Sequence, residues 1–366
     1  MTSESMIMTK EGITLASDMA ITTPENKSYN CGTKIFKLTD DFPIGIMING
    51  NVDFQNIPLE TLIGEFAKTV DFKKIKTVQQ IKDQFLNYLS INTNYTTFND
   101  YLFSILHHFK KELIEEIKEY GFEETLSYYS EKDASYFINN NENYNTEFYE
   151  IIPQDKNKEE VNMRIWRIFS YYFSFEGTGI IFAGFDSDNF YPTFFEITLH
   201  CNDNGKIIYE ENDSMINSEK PVIKVFAINE EAYTFITGIS KNFEDFIKEY
   251  IEESNNIFLN ELTYRLTTRK YNKTLIDEIL KICTTLMSDI YKDIGQQIQN
   301  FKINGIYDTS EFAEYLPKQI HWDLANYLIK LTALKQKFSS DNETVSSETE
   351  IAFITKHNHF EWIQKD

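Results

Sequence analysis

The 366-residue chain is 42% hydrophobic and 15% aromatic, enough for a sizeable core and too apolar for low-complexity disorder. Its formal net charge of -22, from 35 Lys and Arg against 57 Asp and Glu, repels phosphate backbones and argues against nucleic acid as a partner. Three cysteines without metal-ligand spacing, no apolar run near the ~18 residues of a membrane span, and an N-terminus lacking basic and apolar segments point to a cytoplasmic protein without a membrane partner.

Residues 2–54 read as a run of strands. Met6-Ile7-Met8 passes through a turn at Lys10-Glu11-Gly12 into Ile13-Thr14-Leu15-Ala16-Ser17, which alternates with period two. Gly12 is expected to supply the positive φ of a tight hairpin. A polar loop, Thr22 to Asn30, leads to the strand Lys34-Ile35-Phe36-Lys37-Leu38. Beyond a turn at Asp40 to Pro43, Ile44 to Ile48 is apolar on both faces and therefore buried, and Asn49-Gly50 ends it. A helix is predicted from about Pro58 to Val70, with Leu59, Leu62, Ile63 and Phe66 on one face.

Residues 71–175 change character and read as a helical insertion. Thr77 to Leu89 carries one amphipathic stripe, and Leu102, Leu106, Phe109, Leu113 and Ile117 carry another. The Asn- and Glu-rich stretch 131–160 reads as an exposed loop. Strands resume at 179–185 and 193–199, with Val222 to Ala227 and Tyr233 to Ile236 as further candidates. A second helical insertion covers 242–310. The last helix, about 321–338, places Leu324, Leu328, Leu331, Leu334 and Phe338 on one face, and strands at 350–355 and 360–363 close the chain. This order lacks the βαβ alternation of a doubly wound sheet. It suits one α+β domain, 1–366, of two mainly antiparallel sheets packed between helical layers.

Three residues share a regular spacing. Sixteen positions separate Thr2 from Asp18, and sixteen separate Asp18 from Lys34. Asp18 ends one strand and Lys34 opens another, so a hairpin and one loop bring them to a common edge. Thr2 becomes N-terminal if Met1 is removed, and a small second residue permits that removal.

Here the sequence resembles the catalytic β-subunits of proteasomes and their bacterial ring-protease relatives, which are N-terminal-nucleophile hydrolases. In that family an N-terminal Thr, a segment G-(V/I)-x-(L/V)-A-(A/S)-D and a Lys opening a K-(I/V)-x-x-(I/L) strand form the active centre. This chain has Gly12-Ile13-Thr14-Leu15-Ala16-Ser17-Asp18 and Lys34-Ile35-Phe36-Lys37-Leu38. Ile181-Phe182-Ala183-Gly184-Phe185-Asp186 resembles the family's central hairpin, and Thr344-Val345-Ser346-Ser347 its final helix-to-strand junction. The resemblance covers about half the chain and implies a four-layer αββα sandwich enlarged by the two insertions. It departs from the family at Asn49, which stands where Gly is usual, and in the polar first strand Ser3-Glu4-Ser5.

What the resemblance implies chemically is an N-terminal threonine amide hydrolase that uses no cofactor. Thr2 would be the nucleophile and its own α-amine the base, with Lys34 at a cleft edge supplying positive charge and Asp18 fixing Lys34. Backbone N–H groups around Asn49 and Gly50 would hold the oxyanion, and Ser346 would support the nucleophile. The substrate would be a peptide or a small amide. The alternative is a catalytically inactive proteasome-like scaffold or binding subunit, since a fold does not fix an activity. The insertions argue for a monomer or small homo-oligomer rather than a closed ring. His107-His108, His357 and His359 lack clustered ligands for a metal, Gly177-Thr178-Gly179 lacks the Lys of a phosphate loop, and Cys31 and Phe169 to Phe175 read as core.

Overall fold

The computed structural model describes residues 3–22, 28–30, 32–97, 100, 101, 104, 177–227, 230–338 and 344–365. Thr2, Cys31, His107-His108, the stripe from Leu102 to Ile117, the loop 131–160 and the run Phe169 to Phe175 lie outside them. In chain order the strands are β1 (Ser3–Thr9), β2 (Gly12–Asp18), β3 (Ala20–Thr22), β4 (Ser28–Asn30), β5 (Ile35–Lys37), β6 (Ile44–Gly50), β7 (Asp53–Phe54) and β8 (Ile57–Pro58). After helices α1 (Leu59–Thr69) and α2 (Val78–Asn92) come β9 (Thr178–Phe185), β10 (Pro192–Asp203), β11 (Lys206–Met215) and β12 (Val222–Ala227). Helices α3 (Glu230–Thr237), α4 (Lys241–Thr268), α5 (Lys273–Ala313) and α6 (Lys318–Lys337) precede β13 (Thr349–Thr355) and β14 (His359–Gln364). The protein is mixed α+β with antiparallel sheets, in two compact units: Met1–Gly45, Gly184–Thr193 and Ile216–Asp366 form one, and Ile46–Ala183 with Phe194–Met215 the other.

The first unit is built on a sheet of order β12-β1-β2-β13-β14, all antiparallel. β1, β2 and β13 are buried along their whole length, which an apolar period-two pattern achieves only when both faces are covered. On one face α6 packs across β1 and β2. Ile7, Ala16, Ile223 and Ile351 from the strands meet Ala325, Leu328, Ile329 and Ala333 from α6. Ser5 Oγ donates to the Ala325 carbonyl at 3.1 Å, a contact that requires strand and helix to lie close together.

In the second unit β11, β10, β9 and β6 are successive neighbours. Helix α1 buries the four expected residues, Leu59, Leu62, Ile63 and Phe66. Phe66 meets Phe85 of α2 edge-on at 5.0 Å, and Phe85 meets Phe182 of β9 at 5.8 Å. Helix α2 opens on a capping box in which Thr77 and Gln80 satisfy each other's backbone N–H groups. Its other end is tied to β10 by the buried Asn202 amide, which donates to the carbonyls of Leu89, Ser90 and Thr93. Lys82 is buried too, bonded to Glu211 at 2.7 Å and lying 4.5 Å over the Phe195 ring.

Three expectations need correction. Gly12 does not adopt a positive φ; it is needed for close packing, because a Cβ there would fall 2.5 Å from Phe353 and 2.8 Å from the Ile354 carbonyl. Tyr233 to Ile236 is part of helix α3 rather than a strand; four residues are too few to separate the two periods. The buried face of α6 carries His321, Ala325, Leu328, Ile329, Thr332 and Ala333, while Leu331, Leu334 and Phe338 are exposed. Small residues let the helix approach the sheet, and His321 Nε2 meets the Ala313 carbonyl at 3.0 Å, satisfying the end of α5. Burial pushes the His321 imidazole below its usual range, so the neutral ring makes this bond. Gly12→Ala is expected to lower the unfolding free energy by about 1–3 kcal/mol through overpacking, seen as a lower urea midpoint with an unchanged slope.

Candidate active site

The start of β1 and the end of β2 lie side by side, Glu4 opposite Ser17, and β13 flanks them with Thr349 opposite Asp18. This register gathers ionisable side chains at one end of the sheet. Asp18 is fully buried. Its Oδ1 accepts from Lys34 Nζ at 2.6 Å and from the Ser3 N–H at 3.0 Å. Its Oδ2 accepts from the Ala20 and Ser346 N–H groups, each at 3.0 Å. These four bonds occupy the lone-pair sites of a carboxylate. A carboxylate so engaged is a positioning group.

Lys34, just ahead of β5, is 2% exposed, so it is not the cleft-edge residue the resemblance implied. Its backbone N–H donates to Glu350 Oε2 at 3.1 Å, which holds the main chain while the side chain reaches Asp18. Burial raises the Glu350 carboxyl above its usual range.

Glu4 was not singled out from the sequence. It is 1% exposed, and its Oε1 lies 3.7 Å from Lys34 Nζ. Burial, reinforced by the Asp18 charge and opposed by Lys34, pushes its carboxyl up to about 8. At neutral pH Glu4 therefore keeps its proton beside the Lys34–Asp18 pair, which spares the enclosed site a further charge. The sequence carried little signal for it: β1 is buried on both faces, so sharing the parity of Met6 and Met8 does not set Glu4 apart.

Among the sequence-derived residues, the structure brings Asp18, Lys34 and Ser346 together. Ser346 serves Asp18 through its backbone N–H, while its hydroxyl accepts from the Glu348 N–H at 3.0 Å. Asn49 and Gly50 belong to the second unit, where Gly50 has φ +76° and the Asn49 side chain lies over Gly179. A Cβ on Gly179 would come 2.1 Å from Asn49 Oδ1, so these two positions constrain each other. Among the described residues, no group of three or more His, Cys, Asp or Glu side chains could hold a metal ion, and no helix is long and apolar enough to cross a membrane. The sequence matches no family model and no curated protein.

The Glu4 carboxyl gives stability a pH dependence with a definite sign. The folded chain keeps this proton to about pH 8, whereas an ordinary glutamate releases it near 4.5. The folded state therefore binds more protons in that window, and stability falls as pH rises through it. The contribution is complete below pH 4.5 and gone above about pH 8. Glu4→Gln is expected to flatten the wild-type decline in melting temperature between pH 5 and 9; equal slopes for the two proteins would show that Glu4 does not titrate there.

Proposed function

We propose that this protein is an N-terminal threonine amide hydrolase, acting as a peptidase on peptide or small amide substrates, with Thr2 exposed by loss of Met1. The observation that carries the reading is the buried 2.6 Å Lys34–Asp18 pair, whose carboxylate also binds the Ser3 N–H. That N–H belongs to the peptide bond joining Thr2 to Ser3, so the chain is tethered one residue beyond the proposed nucleophile. Two further features support the reading: each unit pairs an antiparallel sheet with helices, as a four-layer αββα sandwich requires, and Asp18 and Lys34 keep the spacing of the resemblance.

In this mechanism the Thr2 α-amine takes the proton from its own hydroxyl as the oxygen attacks the substrate carbonyl. The Lys34 charge favours the neutral, basic form of that amine and stabilises the developing alkoxide. Asp18 keeps Lys34 in place. The amine then protonates the leaving nitrogen. Water resolves the resulting ester and restores Thr2.

One observation favours the second reading, an inactive scaffold. Glu4 stands beside Lys34, and once ionised it competes for the charge that the amine needs.

Intact-mass measurement of the native protein tests the first requirement, and a chain that keeps Met1 rules out the mechanism. With Met1 removed, a mixed peptide library should be cleaved and Thr2→Ala should reduce turnover by roughly a thousandfold or more. Turnover unchanged by Thr2→Ala would exclude Thr2 as nucleophile, and no turnover by the processed wild type would favour the scaffold. Lys34→Ala does not test catalysis alone. It strands the buried Asp18 carboxylate, so a loss of about 3–5 kcal/mol in denaturant stability is expected alongside lost activity.

A further inference from the structure

Helices α4 and α5, of 28 and 41 residues, form an antiparallel hairpin. Lys302 pairs with Glu244 near the base. Buried or half-buried positions recur at helical spacing along the stretch where the helices pair, among them Glu244, Ile247, Ile251 and Leu259 on α4, and Ile276, Cys283, Met287 and Tyr291 on α5.

The residue before each of these points about 100° away around its helix. On α4 these are Phe243, Phe246, Tyr250 and Phe258, and on α5 Leu275, Ile282, Leu286 and Ile290. All eight are large and apolar, and all are between 43% and 60% exposed. The residue after each seam position points to the other side, and every one is polar, from Asp245 and Glu252 on α4 to Thr284 and Ser288 on α5. In an antiparallel pair, a twofold axis normal to the hairpin's broad face exchanges the two helices. Positions one step before the seam on both helices therefore share one face. The hairpin has an apolar seam, one polar face and one apolar face, which is half of a four-helix bundle.

We propose that this apolar face is the interface with a second copy of the chain, the two hairpins closing into a four-helix bundle about a twofold axis. Eight such side chains, each about half exposed, present roughly 800 Å² of apolar surface, the share one partner contributes to a standard interface and more than a monomer usually leaves open. The face approximates its own twofold symmetry, so a second copy meets it with equivalent stripes and without opposing like charges across the centre. A lipid surface is disfavoured by charge. Residues 241–313 carry nine Lys and Arg against twelve Asp and Glu, lacking the basic excess of helices that lie on anionic membranes.

Sedimentation velocity of the full chain at micromolar concentration tests this. The expected species has twice the 43.1 kDa chain mass. Ile282→Glu combined with Leu286→Glu should weaken association at least a hundredfold with helical circular dichroism unchanged. Phe243→Lys with Tyr250→Lys, on the other helix, should do the same and serves as a second route should the first variant fold poorly. Thr284→Glu with Ser288→Glu, on the polar face, should leave the dimer intact. A monomeric wild type, a dimer indifferent to both apolar-face variants, a dimer broken by the polar-face pair, or binding of the wild type to anionic vesicles through this face would each overturn the proposal.

Discussion

The Asp18 carboxylate is the point on which the first unit converges. Its four donors come from the first strand, the first residue of β3, the approach to β5 and the junction before β13. These pieces are far apart in sequence: Ser346 lies 328 residues from Asp18. A short acceptor at the end of one strand thus substitutes for backbone pairing where the sheet stops, and fixes where the entering and leaving segments pass. A buried carboxylate is tolerated only when its lone pairs are filled and a cation lies close. Lys34 meets the second condition, and three backbone N–H groups with Lys34 meet the first.

The same constraint explains why Glu4 is protonated at neutral pH. One ammonium can compensate one carboxylate in an enclosed site, and Asp18 with its extra hydrogen bonds is the stronger claimant. Glu4 is buried 3.7 Å from Lys34 Nζ, and burial, the largest influence on its carboxyl, leaves it carrying a proton.

Much of this was legible in the sequence where period and parity were strong. The 12–18 and 44–48 strands and the buried face of α1 follow from apolar spacing alone, and Asp18 and Lys34 stand out by position relative to strand ends. Other features were not readable. The contribution of Ser346 comes from a backbone N–H, which every non-proline residue has, so nothing in its side chain announces it. Helix α6 misled because its large leucines suggest a core face, yet contact with the sheet selects Ala325 and Ala333. Glu4 was hidden among polar neighbours, Ser3 and Ser5, which give no sign that the whole of β1 is buried. Gly12 was assigned the right necessity for the wrong reason, since packing against Phe353 and a special φ leave the same mark in a single sequence.

The Asn202 side chain, described above as the tie between β10 and the last turn of α2, bears on how the second unit opens. Helix ends ordinarily fray independently because their last carbonyls look to water. Here those carbonyls are held by an amide rooted in a strand, which also accepts from the Gly205 N–H at 2.9 Å. The terminal turn of the helix and the β10–β11 hairpin therefore lose their hydrogen bonds together, so this corner of the molecule exchanges its protected amides as one cooperative piece.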